Sequence, residues 1–210
     1  MGWTYTYKAP STTPRQYLET NCLTWSSLSE DAHPRVVGYS NNGRVHAFAV
    51  RFPAAYFVES KREPFAGYAP ALDGSITTAL IFLVNQERSP SDGYNFGYKD
   101  IDESCGPYEA IKSAAFLSLL SPLTDPTSYA AQWRDRCREA MQQSAKRAAI
   151  KPGVVVKLAE PLRFTDGAEL AEFRAEKIAQ RGRSQLVFRS LANGGLYRIS
   201  AANLAGAAIG

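Results

Sequence analysis

The 210-residue chain is poor in the residues from which most catalytic and metal sites are built. It has two histidines, three cysteines and two methionines. The cysteines, Cys22, Cys105 and Cys137, form no CxxC pair, and their odd number argues against a disulfide framework. This composition predicts a protein of the reducing cytoplasm that has neither a metal site nor a cofactor.

Long hydrophobic runs are also missing. No stretch of about 18 consecutive apolar residues occurs, which excludes a membrane span. The first ten residues, MGWTYTYKAP, lack a basic segment followed by an apolar one, so no signal peptide is predicted. The motifs GxSxG and GxxxxGK[ST] are absent as well, which argues against an α/β-hydrolase or a P-loop protein. An apolar content of 45% and a charged content of 21% fit an ordinary soluble globular protein.

Charge is distributed unevenly along the chain. Residues 1–133 hold 10 Lys and Arg against 13 Asp and Glu, a net charge of −3. Residues 134–210 hold 14 against 7, a net charge of +7. A basic C-terminal part is typical of a protein that binds a polyanion or an acidic protein surface. It is equally compatible with a module that carries surplus solvated arginine.

Hydrophobic periodicity predicts an α+β fold with a first domain over residues 1–146. A mixed sheet with helices is expected there, and the turn Asn41-Asn42-Gly43 predicts a β-hairpin. The helix after Pro126 is expected to expose Arg134 and to bury one face, on which apolar residues recur every four positions: Tyr129, Trp133, Cys137 and Met141. Expected strands cover residues 2–8, 36–39, 44–52 and 77–84, and expected helices begin near Pro14, Pro107 and Pro126.

A second, smaller domain is expected over residues 151–210. Four short strand candidates are separated by turn signals such as Asp166-Gly167 and Asn193-Gly194-Gly195. The spacing predicts a small basic β-module of the SH3-like barrel type. The strand candidates cover residues 154–158, 170–179, 185–189 and 196–200.

The segment GYNFGYKDIDESCGP, residues 93–107, is the most informative part of the sequence. Three aromatic residues alternate with small or polar ones, and acidic residues follow. This order suits a binding surface for a protein partner or ligand, and it suits equally a half-buried strand whose aromatics face the core. The candidate binding residues are Tyr94, Phe96, Tyr98, Lys99, Asp100, Asp102 and Glu103.

The carboxylates of this segment allow another interpretation. Asp100, Asp102 and Glu103, with Lys99 beside them, can hold a divalent cation and position a phosphate or a water. They can instead lie next to the N-terminus of the helix expected at Pro107, where the helix dipole favours negative charge by ~0.3–1 kcal/mol. The capping interpretation is favoured, because a hydrolytic site needs further carboxylates or a histidine at a defined distance.

The basic residues of the C-terminal module offer a nucleic-acid interpretation. Several of them surround the turn predicted at Arg181-Gly182, where phosphates can neutralise them. Phe188 and Tyr197 can add base stacking. The candidate nucleic-acid-binding residues are Lys177, Arg181, Arg183 and Arg189.

The sequence resembles an uncharacterised bacterial family that is encoded largely on phages, plasmids and other mobile elements. The resemblance is carried by four segments and spans most of the chain. The position of Ile101 is often Met in such relatives. The segments are MGWTYTYK at the start, YNFGYKDIDESCGP in the centre, YAAQWRDRCRE in a helix and LRFTDG near the C-terminal module.

The resemblance implies no activity, cofactor or catalytic residue. It implies the company of accessory genes that help a mobile element survive in its host, anti-restriction and anti-CRISPR proteins among them. The leading hypothesis is therefore a non-enzymatic cytoplasmic protein that binds a host protein complex or nucleic acid and inhibits host defence. The alternatives are a nucleic-acid-binding protein and a metal-dependent enzyme.

Overall fold

The structure of the protein is a computed structural model. It describes residues 6–8, 13–23, 27–89, 93–107, 109–180, 183–200, 203–204 and 206–210, apart from the side chains of 6–8, 21–22, 85–89, 93–98, 178–180 and 183–185. The chain divides into two compact units, Met1–Ala140 and Met141–Gly210. The domain boundary predicted between residues 146 and 151 stays a prediction.

The N-terminal unit combines a five-stranded sheet with helices, so the predicted α+β class is confirmed. The strands lie in the order β1-β5-β4-β3-β2, and every described pairing is antiparallel rather than mixed. The strands are β1 (Thr6–Lys8), β2 (Arg35–Asn41), β3 (Val45–Phe52), β4 (Ile76–Ser89) and β5 (Gly93–Asp102), and the helices are α1 (Pro14–Tyr17), α2 (Ala54–Ser60), α3 (Ala114–Leu117) and α4 (Tyr129–Ala149), the last of which extends beyond this unit.

The sheet is buried on both faces. One face packs against α1 and α2, with Phe48 and Phe82 in the core. The opposite face packs against α3 and α4, with Ile81 and Trp133 in the core. This burial explains why the apolar run TTALIFLV forms the centre of β4, the middle strand of the sheet, as its composition predicts. The predicted β2–β3 hairpin is also confirmed: Asn42 Oδ1 accepts a hydrogen bond from Val45 N at 2.9 Å, and the intervening Gly43 has a φ of +90°.

Two predicted helices had opposite outcomes. The helix at Pro14 is confirmed, because Thr13 caps it through a reciprocal capping box with Gln16. The helix expected from Pro107 to Pro122 is wrong, since among the described residues of that stretch the single turn of α3 is the only α-helix. Side chains of α4 instead bind the preceding backbone: Trp133 Nε1 to Glu109 O at 2.9 Å, Arg136 Nη2 to Pro107 O at 2.8 Å, and Cys137 Sγ to Ile111 N at 3.2 Å.

The predicted burial of α4 is only partly correct. Trp133 and Cys137 are fully buried, as their four-residue spacing predicts. Tyr129, the first residue of the helix, is 66% exposed. Arg134, expected on the exposed face, is buried. The reason lies in a carboxylate 31 residues earlier in the chain, described below.

The C-terminal unit is an antiparallel sheet of five strands in the order β10-β6-β7-β8-β9. Strands β6 to β9 follow the four predicted strand candidates in chain order, and the short β10 pairs with β6. The outer strands β9 and β10 do not pair with each other in the described residues, so a closed SH3-like barrel is not confirmed. The strands are β6 (Val155–Arg163), β7 (Glu169–Gln180), β8 (Arg183–Ser190), β9 (Leu196–Tyr197) and β10 (Ala208–Ile209).

One face of this sheet holds the core of the C-terminal unit. Val156, Phe173, Ala175 and Phe188 are buried together. The predicted turn at Asp166-Gly167 connects β6 and β7, and Gly167 has a φ of +84°. In the part of the chain that the structure describes, no helix has the length and apolar character that crossing a membrane requires.

Candidate functional site

The central segment forms β5 and the turn that follows it. β5 pairs with β4 on one side and with β1 on the other, so the strand interpretation of this segment holds for its backbone. The side chains of Tyr94, Phe96 and Tyr98 lie outside the described residues. Their role in binding therefore stays a prediction.

Glu103, the first residue after β5, is fully buried and is bound by Arg134 of α4. Arg134 donates from Nε to Glu103 Oε2 at 2.8 Å and from Nη2 to Oε1 at 2.9 Å. Its third nitrogen, Nη1, donates to the carbonyl oxygen of Ser121 at 2.7 Å. This two-bond geometry is the strongest arrangement of an arginine and a carboxylate. It explains why Arg134 faces inward.

Neighbouring polar groups complete the environment of Glu103. The backbone N–H of Ala79 donates to Oε1 at 3.3 Å, and the hydroxyl oxygen of Thr78 lies 3.1 Å from the same atom. The Thr78 hydroxyl is also 3.0 Å from that of Tyr68. Burial raises the pKa of Tyr68, and the Glu103 carboxylate raises it further. Because both carboxylate oxygens have protein partners, Glu103 links β4, β5 and α4 and is not presented to a ligand.

Asp102 accepts hydrogen bonds from the turn that follows it. Its Oδ1 accepts hydrogen bonds from the backbone N–H of Cys105, at 2.9 Å, and from the hydroxyl of Ser104. Asp102 therefore caps the 3₁₀ turn Glu103–Cys105 rather than the helix expected at Pro107. Gly106 ends this turn with a φ of +66°.

The remaining candidates of this segment differ in exposure. Asp100 is exposed, whereas Lys99 is only 8% exposed. Burial lowers the pKa of the Lys99 amine, and Glu109 acts in the opposite direction. Asp100 pairs with Phe82 of β4, and Asp102 pairs with Leu80. Because alternate residues of a strand share a face, Asp100 and Asp102 lie on the same face of the sheet.

The four described candidates therefore do not converge on one exposed site. Within the described residues, no group of three or more His, Cys, Asp or Glu is arranged to hold a metal ion. The segment acts structurally at Asp102 and Glu103, and it presents Asp100 to solvent.

The solvent-facing side of the C-terminal sheet carries paired charges. Lys157 Nζ lies 2.7 Å from Glu172 Oε1. Arg189 binds Glu176 through two bonds, Nε to Oε1 at 2.7 Å and Nη2 to Oε2 at 3.0 Å. Because Arg189 also donates to the carbonyl oxygen of Gly194, its guanidinium is already engaged within the protein. Much of the basic charge on this side is thus balanced locally.

The other predicted phosphate-binding residues are described to different extents. Lys177 is exposed and forms no ion pair within the described residues. Arg183 lies at the start of β8 with its side chain outside the described part, and Arg181 lies wholly outside it. Phe188, proposed from the sequence as a stacking residue, is 2% exposed and belongs to the core. A base cannot stack on it without unfolding the sheet.

A cleft with a volume of about 560 Å³ opens in the C-terminal unit at the β6–β7 turn. Its lining comes from two segments that the sequence separates by about thirty residues. Both segments carry an arginine beside an aromatic residue. The lining residues are Leu162, Arg163, Phe164, Thr165, Asp166, Leu196, Tyr197, Arg198, Ser200 and Asn203.

Two aromatic rings form one wall of the cleft. The ring centroids of Phe164 and Tyr197 are 4.3 Å apart, with the planes tilted by 48°. The Tyr197 hydroxyl donates to Asp166 Oδ2 at 2.9 Å and accepts from Asn193 Nδ2 at 2.8 Å. A Cβ at Gly195 would come within 2.9 Å of the Tyr197 ring, so a larger residue at this close approach would have to displace the ring. We call Phe164 and Tyr197 the aromatic wall.

The turn below the aromatic wall holds an ionised carboxylate. Asp166 Oδ1 accepts from the backbone N–H of Ala168 at 3.0 Å. This hydrogen bond, together with the one from Tyr197, lowers the pKa of Asp166. Asp166 is therefore an acceptor only at neutral pH, with further lone pairs on both oxygens.

Arg163 and Arg198 are the chain neighbours of the two rings, and both are exposed. The sequence indicates each of them only as one basic residue among many. What brings them together is the antiparallel path of β6, β7, β8 and β9. A signal was nevertheless present, because the dipeptides Arg163-Phe164 and Tyr197-Arg198 both lie beside turn-forming residues.

Comparison with known proteins adds one family. Residues 124–202 match the family described as Domain of unknown function (DUF6927). The match covers the whole of α4 and the segment from β6 to β9, including the cleft residues up to Ser200. It agrees with the expectation of an uncharacterised family. No curated protein matches the chain, and no solved structure matches it.

Proposed function

We propose that the protein is a nucleic-acid-binding protein that acts through its C-terminal unit rather than through catalysis. The observation that carries this proposal is the cleft, in which two exposed arginines flank an aromatic wall. Arginine binds phosphate through several N–H groups, and aromatic rings stack on bases. Both halves of a nucleotide thus have a partner in one cleft.

The charge of the C-terminal unit supports the proposal. Residues 141–210 hold 11 Lys and Arg against 5 Asp and Glu. The ion pairs of Lys157 and Arg189 neutralise part of this charge on the outer sheet face. Arg163 has no ion pair within the described residues, so it adds to the positive potential around the cleft. A phosphate backbone gains affinity from such a field through counterion release.

The resemblance to a family of mobile elements supports a biological setting for this activity. In that setting the protein is an accessory protein of a phage or plasmid, and it binds host or invading nucleic acid to inhibit host defence. This part of the proposal rests on the resemblance alone. It supplies the choice of ligands to test but no residue of the site.

Fluorescence anisotropy of the full chain against labelled DNA and RNA tests the proposal. Affinity should fall steeply between about 50 and 200 mM salt, as expected for phosphate contacts. The double variant Arg163→Gln/Arg198→Gln should reduce the salt slope by about 1.4, since each single-strand phosphate contact adds about 0.7. The matched control, Lys157→Gln/Arg174→Gln, removes the same charge from the outer face and should bind nearly as wild type.

Two results would reject the proposal. One is the absence of salt-dependent binding to every nucleic acid tested. The other is an equal loss of affinity in the cleft variant and the outer-face variant, which would show that net charge alone drives the association. Melting temperatures of both variants control for loss of folding.

A protein partner is the second candidate function, and one observation favours it. Tyr129 is 66% exposed and its ring lies against Gly106, at the end of the turn that follows β5. Exposed tyrosine is enriched at protein interfaces, and Asp100 adds exposed negative charge to the same segment. Under this proposal the central segment contacts a host protein complex.

The variant Tyr129→Ala tests the second candidate. A purified host protein that binds the wild type should bind Tyr129→Ala with at least tenfold lower affinity, because tyrosines buried in an interface are frequent hot spots. Val58→Ala is the control, since Val58 is also exposed but lies on α2. Unchanged affinity of Tyr129→Ala would remove this surface from consideration.

A further inference from the structure

We infer that the cleft takes one unpaired nucleotide, with its phosphate at Arg163 and Arg198 and its base against the aromatic wall. This inference rests on the proposed function and makes it more specific: the ligand is single-stranded nucleic acid rather than a duplex. The physical reason is access to the face of a base. Stacking on a protein ring requires a base that is free on at least one face, which an intact duplex does not offer inside the helix.

The size of the cleft fits this ligand. Small-molecule sites typically have volumes of about 300–1,000 Å³. The cleft, at about 560 Å³, lies in that range. It is therefore large enough for a nucleotide.

The aromatic wall is held in place by the fold. Phe164 packs against Phe173 of the core, with ring centroids 5.9 Å apart. Tyr197 is fixed by hydrogen bonds of its hydroxyl to Asp166 and Asn193. A ring that is already fixed loses little conformational entropy when a base stacks on it. The wall is thus pre-organised for stacking.

Asp166 gives the bound nucleotide an orientation. A carboxylate repels phosphate, so the phosphate favours the arginines and the base edge favours Asp166. As an acceptor only, Asp166 favours a base that presents an amino group, such as the N4 amine of cytosine. Thymine presents a carbonyl oxygen at the corresponding position. The cleft should therefore prefer cytosine to thymine.

The test is a fluorescence-anisotropy titration of labelled probes with the full chain. The three probes are a 15-nucleotide oligo-dC, a 15-nucleotide oligo-dT and a hairpin duplex of about the same charge. Their length follows from the roughly 4–16 nucleotides that single-strand binders cover. The wild type should bind oligo-dC about tenfold more tightly than the duplex. Phe164→Ala should weaken single-strand binding by about 5- to 160-fold, the range for loss of one stacking ring. Binding to the duplex should not change.

Two variants keep the inference separate from loss of folding. Phe164→Leu retains apolar packing against Phe173 but offers no aromatic ring, so it should also weaken single-strand binding while keeping the melting temperature. Leu191→Ala, at an exposed turn outside the cleft, should change neither single-strand binding nor the melting temperature. Asp166→Asn should reduce the preference for oligo-dC over oligo-dT.

Each outcome has a distinct meaning. Binding to no probe rejects the proposed function and this inference together. Equal affinity for duplex and single strand, lost in the arginine variants but not in Phe164→Leu, retains nucleic-acid binding and overturns the unpaired-nucleotide inference. Equal affinity for oligo-dC and oligo-dT in the wild type overturns the orientation at Asp166.

Discussion

In the N-terminal unit Arg134 and Glu103 are buried together, whereas in the C-terminal unit the pair of Lys157 and Glu172 lies on an exposed sheet face. In the buried pair both carboxylate oxygens of Glu103 and all three guanidinium nitrogens of Arg134 form hydrogen bonds within the protein. The exposed pair shares its hydrogen bonds with solvent. A pair of a basic and an acidic side chain therefore stabilises the fold in the N-terminal unit, whereas in the C-terminal unit such a pair mainly sets the surface charge.

The two units also differ in where their charged side chains lie relative to the segments that the sequence marks. The segment that the sequence marks most strongly, residues 93–107, places Glu103 and Asp102 in structural contacts. The less conspicuous turn at residues 163–167 borders a cleft whose lining includes the exposed residues Arg163 and Arg198. Two of the predicted binding residues, Asp102 and Glu103, are thus engaged in holding the fold, while a binding role for the aromatic residues of the segment stays a prediction.

The largest expected effect is that of removing the charge of Glu103. Glu103→Gln leaves Arg134 buried without its counter-charge, which costs about 3–5 kcal/mol in comparable buried pairs. All three tryptophans lie in residues 1–140, so tryptophan fluorescence during urea unfolding reports the N-terminal unit. The midpoint should shift strongly to lower urea. A change below about 1 kcal/mol would show that the pair is no more than a surface-like contact.

An intermediate effect is expected for the substitution Gly195→Ala. The added methyl group would meet the Tyr197 ring at 2.9 Å, and overpacking of this kind costs about 1–3 kcal/mol. Amide hydrogen exchange should show faster opening of β8 and β9, with β4 unchanged. Unchanged exchange would mean that the Tyr197 ring moves freely, which contradicts a fixed aromatic wall. Gly206→Ala is the matched control, because its φ is not positive and its added Cβ would come no closer than 3.8 Å to the Cβ of Ala159.

The smallest effect is expected for the exposed pair. Lys157→Gln breaks the contact with Glu172, and exposed pairs contribute little to stability because water screens their charges. The hydrogen bond and charge of Glu172 raise the pKa of Lys157. The stabilisation that follows is present at neutral pH and is lost as the pH rises through the pKa of Lys157 in the folded protein. Urea unfolding at pH 7 followed by circular dichroism should show almost no shift. A loss comparable to that of Glu103→Gln would abolish the contrast between the two regions.

The sequence predicts those features of the fold that depend on local pattern. TTALIFLV is apolar at nearly every position and forms the middle strand, and Asn42 and Gly43 have the side chain and backbone freedom that a hairpin turn requires. The helix at Pro14 follows a Thr13 cap. These elements are encoded within a few residues, so periodicity and turn chemistry suffice to find them.

Features that depend on distant residues could not be predicted in this way. Arg134 has the spacing of an exposed helical residue, and only the position of Glu103 turns it inward. Residues after Pro107 have helical composition, yet side chains of α4 bind their backbone. The cleft likewise needs Phe164 and Tyr197 to meet across the sheet. Tertiary contacts override local preference in each case.

The most direct test of nucleic-acid binding by the cleft is an amide chemical-shift titration of the full ¹⁵N-labelled chain with unlabelled oligo-dC. The account predicts that the largest shifts fall on residues 162–166 and 196–200. The amides of residues 99–107 should stay unchanged, because Asp102 and Glu103 are held within the N-terminal unit. Shifts centred on residues 99–107, or no shifts at saturating oligonucleotide, would contradict the account.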